Sequence, residues 1–352
     1  MPSGLSAFAL NVRYAFRLRK PRLTARLARA VLQTKLTGRA PLRYVDFAIN
    51  QACNLRCEHC FAKALQSPDR PTMTVDDYAR VARECMAMGT VNFSFQGGEP
   101  LLSPELPDII RACRPERNVI SVTTNGTLLS PEKVRQLRSW GVDILTVSLD
   151  SAIAAEHDAF RGLPGALEKT LAGIDRALAA GLRVTIGTVV THDSLVSEGF
   201  RGLVDYASRK KTLLYCILPV PAGNWKANTD ILMTREDLSR IEALTSKNPF
   251  VRTDLQANFG PRGCGAAKEI LYLTTHGDVL PCPFMHIGFG NALREPMAVI
   301  RDRMLQNRYL KTYWPECLVA TDRGFIDRHL SRTFDAPCLP MPAEDAFSQE
   351  DA

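Results

Sequence analysis

The chain has 352 residues, 45% of them hydrophobic, enough for one large core or two modest ones. Its formal charge is +7, yet residues 1–43 alone hold ten Arg and Lys and no Asp or Glu, so the remainder is −3. The basicity is thus local to an N-terminal arm, and with aromatic interleaving limited to Tyr14 and Phe16 it does not read as nucleic-acid binding.

Within the arm, Leu23, Leu27, Ala30 and Val31 alternate with Arg22, Arg26 and Arg29 at helical spacing. Such a helix can lie on an anionic membrane surface, on an acidic leader peptide, or on the protein's own main domain. No run reaches the roughly eighteen apolar residues of a membrane span. The first residues also place their charges after the apolar patch, the reverse of a secretory signal, so a cytoplasmic protein is expected. For such a protein ten cysteines argue for metal or redox use rather than a disulfide framework.

From residue 44 to 220, apolar runs of strand length alternate with amphipathic stretches of helical length. "YVDFAIN", "VNFSFQ", "NVISVTT", "DILTVSL", "RVTIGTVV" and "LLYCILPV" predict six buried parallel strands. Residues 75–88, 104–113, 131–140, 166–180 and 194–208 predict the helices between them. The expected fold is α/β, a partial (β/α)6 barrel, with chemistry at the carboxyl ends of the strands. Four unusual stretches fall at that rim: "CNLRCEHC" after the first strand, "GGEP" after the second, "TNG" after the third and "SLDS" ending the fourth.

A loop, "PVPAGNWKAN", and one more helix over 234–247 follow. The pattern then changes to a cysteine-rich α+β extension with a hairpin, "ILYLTTHGDVLPC", between Cys264 and Cys282. The expected division is an arm at 1–43, a barrel at 44–247, the extension at 248–340 and a disordered tail at 341–352. The extension has few long apolar runs, so metal is expected to supply much of its folding energy.

Cys53, Cys57 and Cys60 stand at C-x3-C-x2-C spacing with no fourth cysteine nearby. Three thiolates on a tight loop can hold three irons of a 4Fe-4S cluster and leave the fourth open to substrate. A zinc site completed by His59 or a distant cysteine is the competing reading. Cys85, Cys113 and Cys216 fall within predicted helix or strand and read as buried structural thiols. His157, His192, His276, His286 and His329 show no metal spacing.

"CNLRCEHC" after a first strand and "GGEP" after a second resemble the radical S-adenosylmethionine (radical SAM) superfamily over roughly residues 44–220. The resemblance implies that Cys53, Cys57 and Cys60 hold a 4Fe-4S cluster whose open iron is chelated by SAM. Reductive cleavage would then give a 5′-deoxyadenosyl radical, with a flavodoxin- or ferredoxin-type protein as electron donor. It implies further that His59 faces the adenine and that Gly97, Gly98 and Glu99 form the loop receiving the methionine amino group. Ser148 would bond the SAM ribose or carboxylate, Asn125 and Asp150 would line that wall, and Arg161 of "HDAFRG" would pair with the methionine carboxylate. Read as residues alone, "GGEP" can be a turn, Ser148 and Asp150 caps, and Arg161 a surface arginine.

Cys264, Cys282, Cys317 and Cys338 resemble the twitch or SPASM extensions of that superfamily. Four cysteines, where a full SPASM domain has seven, imply one auxiliary 4Fe-4S cluster. The twenty residues between Cys317 and Cys338 depart from the family's closer spacing. Twitch-type relatives imply oxidation of a small molecule, with the auxiliary cluster taking the second electron. SPASM-type relatives imply a peptide substrate, although Pro283 stands where sulfatase-maturing relatives carry a catalytic Asp. A metal-stabilised, non-catalytic interaction protein is the reading of another class, and no catalytic base is assigned.

Overall fold

The computed structural model describes residues 20–37, 40–253, 255, 263–348 and 351. Six parallel strands, β1 (Tyr44–Ala48), β2 (Asn92–Gln96), β3 (Val119–Thr124), β4 (Ile144–Ser148), β5 (Arg183–Val189) and β6 (Leu213–Ile217), lie side by side in chain order. A seventh, β7 (Val251–Thr253), extends the β6 edge. At the other edge β8 (Ile270–Leu273) pairs parallel with β1, and β9 (Val279–Leu280) returns antiparallel to it. The strand order of this nine-stranded sheet ends at β7 and β9, which do not pair with each other, so the sheet is open among the described residues; β9 is continued by backbone bonds of Val279 with Phe289 and Gly290.

The helices between the strands are α2 (Val75–Ala87), α3 (Leu106–Ala112), α4 (Pro131–Ser139), α5 (Ala154–Arg161), α6 (Ala166–Ala179), α7 (His192–Leu195) and α8 (Glu198–Lys210), with α9 (Arg235–Lys247) before β7. Several starts are capped as their sequences dictate. Thr74 and Thr234 form reciprocal capping boxes with Asp77 and Asp237, and Ser130 caps a helix whose first residue is a proline. The single helix expected over 194–208 is broken at 196–197, where Ser197 caps α8.

Alternation along the strands sorts the two faces of the sheet. Val45, Phe47, Phe93, Phe95, Ile120, Val122, Leu145 and Val147 are fully or nearly fully buried in one core with Tyr78, Val81, Ile109, Leu137 and Ile174 of the helices. The opposite face carries Asp46, Ser94, Ser121, Thr146 and Thr185. One side is helix-covered and apolar; the other is a polar wall.

Helix α1 (Pro21–Thr37) closes the amino-terminal end of the strands. Leu23 is buried against Val91 and Val119, Lys20 bonds the Asp143 carboxylate at 2.5 Å, and Arg26 donates to the Thr90 carbonyl at 2.6 Å. Val31, Leu32 and Leu36 stay exposed. The arm therefore packs on the main domain, at the end opposite the rim, and residues 1–19 lie outside the described set.

Two expectations for the C-terminal region are corrected. The extension shares the sheet through β8, and α10 (Met297–Gln306), α11 (Arg308–Lys311) and α12 (Arg323–Arg328) bury Met297, Ile300, Met304, Leu310, Phe325 and Ile326 in the same core as β1–β6. Helical spacing scattered these apolar residues, so no long run announced them. The expected disordered tail is ordered over 341–348: β11 (Met341–Pro342) pairs with β10 (Ile287–Gly288), and α13 (Ala343–Ala346) buries Ala346 with Phe347 behind it.

Candidate active site

The cysteine loop leaves β1 and is fastened at once to the loop after β2. The Gly98 and Glu99 N–H groups donate to the carbonyls of Asn50 and Ala52 at 2.9 and 2.7 Å, and Asn50 Nδ2 donates to the Glu99 carbonyl at 2.8 Å. The approach is too close for side chains. A Cβ on Gly97 would meet the Asn50 carbonyl oxygen at 2.4 Å, one on Gly98 would meet the Ala52 carbonyl oxygen at 2.2 Å, and Gly97 sits at φ +144°. The glycines are thus required by contact between the two loops.

Glu99 continues the fastening with its side chain. Buried, its carboxylate accepts from Leu101 N–H (3.1 Å), the Thr124 hydroxyl (2.8 Å) and Asn125 N–H (2.8 Å). Burial pushes its carboxyl up to about 7, against the pull of those three donors. Asn125 passes the connection on: its Nδ2 donates to Asn54 Oδ1 at 2.9 Å, between Cys53 and Leu55. "CNLRC", "GGEP" and "TNG" are therefore one hydrogen-bonded unit at the rim.

The far side of the cysteine loop rests on α5, which no sequence periodicity had marked. Arg56 and Glu58 N–H groups donate to the Arg161 and Phe160 carbonyls at 3.3 and 2.9 Å. Gly162, at φ +66°, leaves room for the Arg56 carbonyl, which a Cβ would meet at 2.6 Å. Arg161 is only 7% exposed, which rules out the surface-arginine reading. Its Nε and Nη2 both approach Asp150 Oδ2 at 2.6 Å, and Nη1 points to Cys57 Sγ at 3.7 Å. Burial alone would raise the Asp150 carboxyl, but Arg161 holds it below the usual value. A guanidinium thus stands fixed beside the middle cysteine.

A third support comes from the loop after β6. Asn224 donates its N–H to the Cys60 carbonyl (3.1 Å) and its Nδ2 to the Cys57 carbonyl (2.8 Å). Trp225 and Phe160 enclose His59, whose ring stacks on Phe160 at 4.5 Å and 7° and lies 5.7 Å from Trp225. Burial lowers the imidazole to about 4, so it is neutral near pH 7, and Nδ1 has no hydrogen-bond partner. Asn224, Trp225 and Phe160 were not singled out from the sequence; the one hint was "GNW" just beyond a strand end.

The remaining expected residues fall nearby or in the extension. Ser148, half-buried, is the last residue of β4, opposite Gly187. Cys264 bridges to Trp314 through its backbone, Cys317 heads the turn at 317–322, and Ala267 N–H bonds the carbonyl of Pro281, next to Cys282. These three thiols are half-buried; Cys338 is exposed. Phe284, two residues after Cys282, meets Phe61, next to Cys60, edge-on at 5.1 Å, and Arg70 grips Asp278 of the hairpin through two bonds of 2.7 and 2.8 Å. The two cysteine regions are therefore neighbours. Cys85, Cys113 and Cys216 are fully buried in the core, and no disulfide occurs among the described residues.

The donor set tests the fit of an iron-sulfur cluster. Cys53, Cys57 and Cys60 are free thiols on the braced loop, and among the described residues no group of three His, Cys, Asp or Glu side chains is set to hold a single metal ion. His59, the fourth ligand of the zinc reading, turns into its aromatic stack instead. Three thiols on one braced loop, with no fourth side chain supplied by that loop, fit a cluster with one open corner.

A profile of the radical SAM superfamily matches residues 48–199. The chain is 31% identical to the AdoMet-dependent heme synthase of Oleidesulfovibrio alaskensis over 284 residues, 72% of this chain and 73% of that one. It is 32% identical to the GTP 3',8-cyclase of Clostridium perfringens over 277 residues, 72% and 84% of the two chains. Its fold resembles that of SuiB from Streptococcus suis bound to precursor peptide SuiA, with TM-score 0.60 and 18% identity over 84% of this chain and 72% of that one. No helix among the described residues is long and apolar enough to cross a membrane.

Proposed function

The chain belongs to the radical SAM superfamily of enzymes, which use a 4Fe-4S cluster and SAM, and on that premise we propose that it oxidises a small molecule with the help of an auxiliary 4Fe-4S cluster. The observation that carries the reading is the braced cysteine loop, held by Glu99 on one side, Arg161 on the other and Asn224 from above. Cys53, Cys57 and Cys60 would hold the first cluster. Gly97, Gly98, Glu99, Asn125, Ser148 and Arg161 would form the wall for SAM, and His59 would contribute through its main chain, its ring being stacked inside. Bound there, the cluster and SAM supply a 5′-deoxyadenosyl radical when one electron arrives from a flavodoxin- or ferredoxin-type donor.

The chain's own residues do the positioning. Arg161 carries its charge to within 3.7 Å of Cys57 Sγ, and the Glu99–Asn125–Asn54 bonds fix the loop against the strand ends. The polar face of the sheet, with Asp46, Ser94, Ser121, Thr146 and Thr185, suits a hydrogen-bonding substrate. Cys264, Cys282, Cys317 and Cys338 would hold the auxiliary cluster, which would supply the acceptor for the second electron of a two-electron oxidation begun by hydrogen-atom loss from substrate, the proton passing to solvent. The division into a barrel at 44–247 and an extension at 248–340 stands in this proposal as one of chemistry, since the sheet runs through both.

The relatives matched over most of the chain are named for heme and GTP, which favours a small molecule over the peptide-modifying alternative. A cytoplasmic setting and a weak contact of the basic arm with an anionic membrane surface or leader peptide complete the proposal. The test is anaerobic reconstitution followed by iron analysis and a 5′-deoxyadenosine assay with dithionite. About eight irons per chain are expected, with Cys57→Ala keeping about four and forming no 5′-deoxyadenosine. About four irons in the wild type, unchanged when all four C-terminal cysteines are replaced, would overturn the two-cluster reading.

A further inference from the structure

The guanidinium beside the middle cysteine is aimed by a clamp that draws on three elements. Asp150, two residues past β4, accepts through Oδ2 from Arg161 Nε and Nη2, both at 2.6 Å, and through Oδ1 from the N–H of Val189, the last residue of β5, at 3.1 Å. The Asp150 N–H in turn donates to Nδ1 of His157, one turn before Arg161 on α5, at 3.2 Å. All three side chains are buried. The carboxylate occupies the Nε–Nη2 edge of the guanidinium, so the nitrogen left over is Nη1, and it points at Cys57 Sγ from 3.7 Å. The positive end of the buried pair is therefore the end that faces the sulfur.

The three thiols of the loop are not treated alike. Cys53 Sγ accepts from the Leu55 N–H at 3.4 Å, a neutral backbone bond that a tight loop supplies by itself. Cys57 instead receives a charged donor brought from more than a hundred residues away. A charge-assisted bond is roughly twice as strong as a neutral one, and burial keeps water from weakening it. Hydrogen bonds to the sulfurs and net charge are among the terms that set the potential of an iron-sulfur cluster.

We propose that Arg161, aimed by Asp150, is a positioning residue that donates a charged N–H···S bond to the Cys57 thiolate and thereby raises the reduction potential of the cluster on this loop. This rests on the cluster reading above and adds what sets the potential there. Reduction places further negative charge on the sulfurs, which the guanidinium offsets, so the reduced state comes within reach of a weaker donor.

The experiment uses the full chain with Cys264→Ser and Cys282→Ser, reconstituted anaerobically, so that the cluster of Cys53, Cys57 and Cys60 is titrated alone. SAM is left out, which separates the effect from any contact of Arg161 with SAM. Iron per chain and the midpoint potential, followed by EPR during redox titration, are compared for this background and for Arg161→Gln and Asp150→Asn within it. Arg161→Gln removes the cation and is expected to move the midpoint to more negative potential. Asp150→Asn leaves the cation unbalanced and is expected to move it the other way, a pair of opposite shifts that loss of packing alone would not give. If either single variant holds too little cluster to titrate, the Arg161→Gln, Asp150→Asn double variant, which buries no unpaired charge, is titrated in its place and should lie more negative than the background. A midpoint that Arg161→Gln, or the double variant standing in for it, leaves in place overturns the proposal, as does a shift of the same sign in both single variants. Failure of the cluster reading itself is separately visible, because the background chain with Arg161 and Asp150 intact would then bind no iron, and the proposal would fall with it.

Discussion

Glu99 accepts three hydrogen bonds at the point where three loops meet, and its environment pulls in two directions. Burial favours the neutral acid and the three donors favour the anion; burial wins, leaving the carboxyl near 7. In the unfolded chain it ionises near 4.5, the ordinary value for a glutamate. Between these values the native state holds the proton and the unfolded state does not, so this group's contribution falls as pH rises from 4.5 through about 7. Urea unfolding of the apo protein at pH 5.5 and 8 is expected to lose about 2–3 kcal/mol from this source. Glu99→Gln should be nearly flat across that range but less stable than wild type at pH 5.5 by about 1–3 kcal/mol, since its amide must turn an N–H toward a backbone donor. Equal pH slopes in the two proteins would refute the assignment. Arg161 makes the complementary case: removing it leaves Asp150 buried and unpaired, so Arg161→Ala should cost about 3–5 kcal/mol. Asp150→Asn in that background should recover part of the loss, as a double-mutant cycle by denaturant melts would read.

At the scale of elements, the loop after β6 is the support that can be removed without touching a cysteine. Gly223 has φ +63°, and a Cβ there would meet the Cys60 carbonyl oxygen at 2.1 Å and Phe61 Cα at 2.4 Å, both backbone. Gly181 is the control, with φ +76° and nothing within 4 Å. Each alanine should cost roughly 1–2 kcal/mol for the left-handed backbone alone. Only Gly223→Ala should also pull Asn224 and Trp225 off the cysteine loop and lower iron from about eight to about four per chain. Equal iron contents in the two variants would show that the loop does not brace the cluster site. Loop supports of this kind are where sequence reading stopped. The six central strands were legible because they are short, bounded and rich in apolar and β-branched residues, with one face buried under the helices. The cysteine loop and "GGEP" were legible because the chemistry demands those residue types at that spacing. Asn224, Phe160 and Trp225 touch the loop across more than a hundred residues of chain or from an unmarked helix, and nothing local in "GNW" or "DAFR" states what it will meet. The pairing of β8 with β1 was hidden likewise, since a four-residue strand in a hairpin does not name its second neighbour.

For the molecule as a whole, two sources can organise the C-terminal region, a metal cluster and a buried apolar core. Sequence runs suggested the former, but the structure places Leu271, Leu273, Val279, Ile287, Met297, Ile300, Met304, Leu310, Phe325 and Leu330 in the core shared with β1–β6. Each such side chain contributes about 1.5–3 kcal/mol on full burial, and even reduced for a compact unfolded state their combined effect rivals the roughly 10–16 kcal/mol that zinc gives to small metal-dependent peptides. The partners of these residues are the barrel's own strands and helices, which need no auxiliary cluster. Replacing Cys264 and Cys282 together with serine should therefore leave one cooperative unfolding transition and a C-terminal region that resists limited proteolysis in the described stretch 263–348. The same variant should lose about four irons and substrate oxidation while still cleaving SAM without coupling, because the wall proposed for SAM is built from β1 to β5. Early cuts between 263 and 340 would show instead that metal organises the region. Such cuts would also mean that the contacts of Phe284 with Phe61 and of Asp278 with Arg70, which seat the extension against the cysteine loop, depend on the cluster rather than prepare its place.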